Sequence, residues 1–289
     1  MLELGAGAGY GGLHLAKCIE AYARSQALYN SASSAPMRVL LSDLPNVRVL
    51  LQRNIAKARA SDVRLAAGVD IQAWPCAWGD HAQAQAILKY LALSSPSSQG
   101  QALTHILAAD LVYFPELFPP LLRSLLWLTE PQPRPEDDKS AQSTPEVIFT
   151  YKVRSLVKEQ PFWAVFGAWF AFEAVLCRSR PTQAAASDTQ PSSSSYAGWR
   201  RFGERVSDVQ LRPATQARGK EAEEEEEEDS DQQVYVFLAR RREATFGWAA
   251  PIDDSALMRG RRVRSSGQEE AVTELDDTFE MLLLNSIGL

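Results

Sequence analysis

The sequence predicts an α/β protein built on a mostly parallel sheet with helices on both faces. Three observations predict it. Short apolar, β-rich runs alternate with longer amphipathic stretches, as in a series of βαβ units. The runs at 37–42 (MRVLLS) and 105–109 (HILAA) are close to continuously apolar, which strands covered on both faces need. Each of these runs ends on an aspartate, Asp43 or Asp110, and Gly5, Gly7 and Gly9 follow the first apolar run of the chain. Ligands of open α/β sheets bind beyond the carboxyl ends of the strands, so these five residues are expected along one edge.

The first strand consists of Leu2, Glu3 and Leu4. Strands usually run to about five or six residues, so the chain is expected to begin inside it. Glycines alternating at a strand-to-helix turn let the backbone approach a ligand, because no Cβ intervenes. The helix behind them offers free N–H groups and the positive end of its dipole, which suits a nucleotide-type cofactor. The plain alternative is a turn that only lets strand and helix pack closely. Residues 13–28 read as that helix, 37–42 as the second strand, and 47–57 as a helix with Leu50, Leu51 and Ile55 on one side. A third strand at 69–74 leads to a turn at Trp78-Gly79-Asp80 and a helix at 82–93. The fourth strand, 105–109, is followed by a helix at 115–128, whose Pro115 falls in the first turn, where a missing N–H costs little.

Residues 147–151 (VIFTY) read as a fifth strand and 162–176 as an aromatic-rich helix. A sixth strand is placed at 205–211 and a final one at 233–239 (QVYVFLA). The acidic tract at 220–231 would then form a loop between neighbouring strands, tolerable because closure entropy grows slowly with length. Past 239 the pattern fades, apart from a short helix within 274–284. The domain is drawn at 1–240, with mobile insertions near 131–145, 178–196 and 218–232, and residues 241–289 as a partly disordered C-terminal extension.

At 289 residues with a 45% hydrophobic fraction, the chain has the composition of a globular α/β domain with appendages. The net charge of -6 argues against a nucleic-acid surface. Cys18, Cys76 and Cys177 are odd in number and widely spaced, which suits a reducing compartment. No charged n-region with an apolar h-region opens the chain, and the longest apolar run, 162–177, is interrupted by Glu173. A soluble protein of the cytoplasm is expected, with the nucleus as the alternative.

Several residues can carry chemistry. Asp43 can accept hydrogen bonds from both ribose hydroxyls of an adenosine, or cap the helix that follows. Trp78 can pack on an adenine face, or in the core. At the end of the fourth strand, Ala109-Asp110-Leu111-Val112-Tyr113 places a carboxylate and a phenol where they can face one pocket. Asp110 can orient an amine there and Tyr113 can wall off a methyl donor; the alternative is an Asp cap beside a packed Tyr. His14, His81 and His105 share no metal-ligand spacing, and no metal is expected.

Together these residues resemble the seven-β-strand S-adenosylmethionine-dependent methyltransferases, and within them the family 16 protein-lysine methyltransferases. The resemblance rests on Leu2-Glu-Leu-Gly-Ala-Gly-Ala-Gly9, on Leu41-Ser-Asp-Leu-Pro45 with Asn54-Ile55 after it, on Trp78-Gly79, and on Asp110-Leu-Val-Tyr113 followed by Glu116-Leu-Phe-Pro-Pro-Leu-Leu122. It covers 1–240 without the insertions. It implies a Rossmann-like seven-stranded sheet whose last strand is antiparallel. It implies that Gly5, Gly7 and Gly9 cradle the methionine portion of S-adenosyl-L-methionine, with Glu3 of the same motif among the donor-binding residues. Asp43 is then expected on the ribose, Trp78 near the adenine and Ala109 along the pocket. Asp110 and Tyr113 become the catalytic pair, placed where a lysine of a protein substrate meets the methyl group.

The implied reaction is in-line displacement at the sulfonium methyl by a neutral amine. Free lysine is protonated near neutral pH, so the site must favour the deprotonated form. Alignment and desolvation of the reactants are expected to supply most of the rate. A monomer is expected, with a protein substrate as partner, and with neither nucleic acid nor membrane. Family members carry a strand pair and a helix with a Trp before the glycine motif, so the chain is expected to be an N-terminally truncated member. Two alternatives stand beside this reading. One is a small-molecule or other N-methyltransferase of the same fold. The other is a non-catalytic interaction protein or inactive fragment.

Overall fold

The computed structural model describes residues 1–27, 37–62, 65, 69–93, 102–131, 144–177, 200–201, 234–264, 266–267, 269–271 and 277–284. Its centre is a sheet of seven strands: β1 (Leu2–Leu4), β2 (Met37–Asp43), β3 (Val69–Pro75), β4 (His105–Ala109), β5 (Glu146–Lys152), β6 (Phe170–Ala174) and β9 (Val234–Arg241). The short β7 (Leu176–Cys177) and β8 (Arg200–Arg201) pair separately. The order across the sheet is β3-β2-β1-β4-β5-β9-β6. All pairings are parallel except those of β9, which runs antiparallel to both β5 and β6. The order reverses at β1, where Leu4 lies opposite Ser42 on one side and Ala108 on the other. Asp43 and Asp110 therefore flank the segment that leaves β1. Two strand spacings separate their strands, about 10 Å.

Alternation along the strands sorts the core into two layers. Leu2, Leu4 and Leu40 face the layer filled by α3 (His81–Leu93), α4 (Phe118–Leu128) and α5 (Leu156–Trp169). Val39 and Leu41 face the opposite layer, with Ala16 of α1 (Tyr10–Ala27) and Leu51 and Ile55 of α2 (Arg48–Ser61). Helices thus cover both faces, which is why β2 tolerates an almost unbroken apolar run. Glu3, between Leu2 and Leu4, points into the α1 side.

One element differs from the sequence reading. The helix placed at 162–176 begins earlier and stops at Trp169, and the chain enters β6 directly. In Phe170-Ala-Phe-Glu-Ala174 the two phenylalanines are buried and Ala171 and Glu173 exposed, a period of two. An aromatic run satisfies either period, and pairing with β9 decides, with Phe172 opposite Ala239. The place beside β9 is thus held by β6; residues 205–211, read as the sixth strand, lie outside the described residues. So do the expected insertions, apart from 131, 144 and 145.

Beyond β9 the chain continues to pack. A 3-10 turn at Glu243–Thr245 leads to β10 (Trp248–Ala249), α6 (Asp254–Met258), β11 (Arg261–Arg264), β12 (Glu269–Ala271) and α7 (Thr278–Leu284). The strands β10, β11 and β12 form an antiparallel sheet. Trp248, Leu257 and Phe279 are buried in the same cluster as β4 and β5, and the Phe279 ring stacks on Trp163 at 5.0 Å. Among the described residues no helix is long and apolar enough to cross a membrane.

Candidate active site

The glycine turn is built by contacts from both neighbouring strands. The Ala6 N–H donates to the Ser42 carbonyl at 2.9 Å, and the Ser42 hydroxyl donates back to the Glu3 carbonyl at 2.8 Å. The Gly7 N–H donates to Asp43 Oδ2 at 2.6 Å, while Asp43 Oδ1 accepts the Leu44 N–H at 2.7 Å. From α2, Asn54 donates to the Ala8 carbonyl at 2.8 Å. Gly5 and Gly7 have φ of +66° and +55°, where a Cβ is strained. Their surroundings differ. A Cβ on Gly5 would lie 2.8 Å from Leu111 and 2.9 Å from the Trp78 ring, whereas one on Gly7 would meet nothing within 4 Å. Gly5 is a close-packing position; Gly7 borders open space.

Glu3 holds the turn from below. It is 2% exposed, and its Oε2 accepts the Gly12 N–H at 3.0 Å. Burial pushes its carboxyl up to about 7; the Gly12 hydrogen bond opposes this and the nearby Asp43 charge adds to it. Gly11 and Gly12, which the sequence reading passed over, make room for it. A Cβ on either would come within 2.6 Å of a Glu3 oxygen. Glu3 is therefore not open at the mouth of the turn; it connects to that region through the Gly12 N–H.

Trp78 is half-buried with its ring against Gly5. The next N–H, Gly79, donates to the Ser124 hydroxyl at 2.9 Å, which ties the turn to α4. Ala109 is half-buried at the end of β4, opposite Thr150.

Asp110 follows at φ +59°, the sole non-glycine residue with positive φ among the described residues. Its N–H donates to the Thr150 carbonyl at 2.7 Å, so the strained residue is pinned to β5. Its carboxylate takes a two-pronged hydrogen bond from Arg154, whose Nη1 lies 2.6 Å from Oδ1 and whose Nη2 bonds Oδ2. The same guanidinium lies 6.0 Å from the centre of the Tyr113 ring, which meets Phe114 edge-on at 4.7 Å. Asp110, by this bond, holds the Arg154 side chain more firmly protonated than usual. The Arg154 N–H donates to Glu159 Oε2 at 3.2 Å, and the buried Tyr151 hydroxyl donates to the same oxygen. Burial, with Glu159 beside it, raises the Tyr151 hydroxyl well above its ordinary range.

Sequence reasoning missed Arg154, Glu159 and Tyr151. The strand-end rule that selected Asp43 and Asp110 also points to residues just past β5, and Arg154 is one of them. Tyr10, Leu44, Phe114 and Val157 are exposed and lie next to Gly9, to Asp43, to Tyr113 and at the start of α5, so apolar side chains rim this edge.

The strand order, with one antiparallel strand inserted beside β5 and a glycine turn at the reversal point, defines an α/β methyltransferase-like fold. A model of the family described as lysine methyltransferase matches residues 1–164, more than half of the 289-residue chain. The protein belongs to that lysine methyltransferase family. A comparison with curated proteins gives no match.

Proposed function

We propose that this chain is an S-adenosylmethionine-dependent N-methyltransferase that modifies lysine in a cytoplasmic protein. The observation that carries the reading is the flanking of the glycine turn by two carboxylates, Asp43 at the end of β2 and Asp110 just past the end of β4. One suits the nucleoside of the donor and the other suits an amine.

The residues present fit that donor. Gly7 leaves open space where a side chain would stand, and the turn is already held by Asp43. A carboxylate has about four acceptor sites, and the Gly7 and Leu44 N–H groups use two, so Asp43 retains capacity for ribose hydroxyls. Gly5, Gly7 and Gly9 would hold the methionine portion, Trp78 would flank the adenine, and Ala109 would line the pocket. The buried Glu3 keeps α1 and the turn in register. S-adenosylmethionine supplies a methyl group activated by its sulfonium.

Asp110 attracts the amine as a cation and fixes its nitrogen, and the Tyr113 ring confines it. The nucleophile is the neutral amine, so the ammonium proton leaves to water before attack, and closure by the substrate excludes further water. The apolar rim of Tyr10, Leu44, Phe114 and Val157 supports a protein substrate over a small molecule, since a protein surface can cover it.

The test is incubation of the chain with methyl-labelled donor and cell lysate. A labelled protein whose label maps to lysine, and is lost with Asp110→Ala, is the expected result. Label found only in small metabolites overturns the protein-substrate reading; no donor binding by calorimetry overturns the enzyme reading altogether.

A further inference from the structure

The residue bound to Asp110 is itself a cation. We infer that Arg154 is an internal stand-in for the substrate, and that a lysine side chain enters the site by exchanging with it at Asp110. The inference rests on the reading of Asp110 and Tyr113 as the amine-binding pair.

Four observations carry it. First, the guanidinium engages both groups assigned to the amine, as a two-pronged donor to the Asp110 carboxylate and 6.0 Å from the Tyr113 ring centre. Second, Asp110 is held at φ +59° by its N–H bond to Thr150. Such a conformation persists where the surroundings over-determine it, so the carboxylate is aimed independently of Arg154. Third, the Arg154 backbone is anchored by Glu159, so the long side chain can swing away while the loop between β5 and α5 stays in place. Fourth, the pair is accessible, with 39% of the Arg154 side chain and 44% of the Asp110 side chain exposed. Solvent screens an ion pair this exposed to about fivefold in affinity, about 1 kcal/mol, so an incoming cation can compete.

The exchange also separates arginine from lysine chemically. A guanidinium does not lose its proton in a protein, so Arg154 sits beside the donor site without becoming a nucleophile. A lysine ammonium brings the same charge to Asp110 and can then give its proton to water. Arg154 therefore keeps the carboxylate paired while no substrate is present, at a small cost in substrate affinity.

The experiment is a titration of the full chain with n-butylammonium, a lysine side-chain mimic, at constant ionic strength and followed by NMR. n-Butanol serves as the uncharged control. Wild type is expected to bind the cation weakly and saturably, and Arg154→Ala about threefold to fivefold more tightly. Arg154→Lys should fall between them, since it keeps the charge but loses the fork. Asp110→Asn, which tolerates the same positive φ, should bind neither compound.

Equal binding by wild type and Arg154→Ala, unaltered binding by Asp110→Asn, or no saturable binding by any variant overturns the inference. The labelling assay with lysate, run on the same proteins, separates the two claims. Tighter butylammonium binding without any labelled protein leaves the exchange standing and removes the lysine methyltransferase reading. Labelled protein with unaltered cation binding removes the exchange alone.

Discussion

Asp43 Oδ2 accepts the Gly7 N–H at 2.6 Å, so the end of the second strand and the glycine turn form one unit. A change at Asp43 must therefore act on the turn as well as on any ribose contact. Asp43→Ala removes the acceptor for both the Gly7 and the Leu44 N–H groups. Hydrogen bonds to a charged group are worth about 1.5–3 kcal/mol each, so donor affinity should fall by at least about tenfold. Calorimetry with S-adenosylhomocysteine measures it. Asp43→Asn keeps one acceptor oxygen and should fall between wild type and the alanine variant.

Gly5 and Gly7 should respond differently to alanine although both have positive φ. Gly7→Ala meets nothing within 4 Å. It should lose only the conformational cost, about 1–2 kcal/mol of stability, while donor binding suffers because the new methyl occupies the space beside the turn. Gly5→Ala drives a Cβ to within 2.9 Å of the Trp78 ring and nearer still to Leu111. The added overpacking costs about 1–3 kcal/mol more, so this variant should unfold at clearly lower urea. Urea unfolding and donor binding on both variants separate packing from recognition; equal stability losses would refute the distinction.

Glu3 makes stability depend on pH with an unusual sign. Its carboxyl is raised from 4.5 to about 7 in the folded chain, so the folded state holds a proton that the unfolded state has released. The stability that Glu3 contributes is then fully present below pH 4.5, is lost as pH rises, and is gone above about 7. Over that window the loss is of the order of a few kcal/mol, the net of burial, which favours the protonated form, and the Gly12 hydrogen bond, which favours the ionised one. Glu3→Gln keeps an acceptor for Gly12 and has no proton to lose. Urea midpoints compared between pH 4.5 and 8 should show wild type losing stability relative to the variant. A parallel course for the two proteins would exclude Glu3 as the source.

The edge of the sheet was legible in the sequence because its signals are local. An apolar run that ends on a carboxylate marks a strand and its exit together, which is how Asp43 and Asp110 could be placed beside Gly5 without coordinates. Other features depend on faces and on partners. A strand as short as Leu2–Leu4 has no visible alternation, so the sequence could not say that Glu3 points beneath the turn. The change from helix to strand at Phe170 is written in its pairing with Arg241, residues far apart in the chain. Arg154 stands in a short connection, and only the fold brings its guanidinium to Asp110.

Arg241 shows how far nonlocal contacts reach. The sequence ends the last strand at 239, short of Arg241; in the structure Arg241 closes β9 and is 3% exposed. Its guanidinium donates to the carbonyls of Leu126, Thr245 and Trp248 at 3.0, 3.0 and 3.1 Å, and to the Thr245 hydroxyl at 2.7 Å. It lies 3.4 Å from the Glu130 carboxylate and 5.0 Å from the centre of the Trp169 ring. Burial lowers its protonation midpoint to about 10, partly offset by Glu130, so it remains charged at neutral pH. The side chain thus joins α4, β9 and the start of the C-terminal segment. Arg241→Ala strands three buried carbonyls, a loss of about 3–5 kcal/mol by comparison with broken buried charge networks. Arg241→Lys retains the charge but cannot reach all the acceptors at once, and should recover only part of it. Urea unfolding should register both losses. Limited proteolysis of Arg241→Ala should cut first between Glu243 and Leu284, because β10, α6 and α7 lose the anchor that seats Trp248. Cleavage that starts instead in α1 or α2 would refute that role.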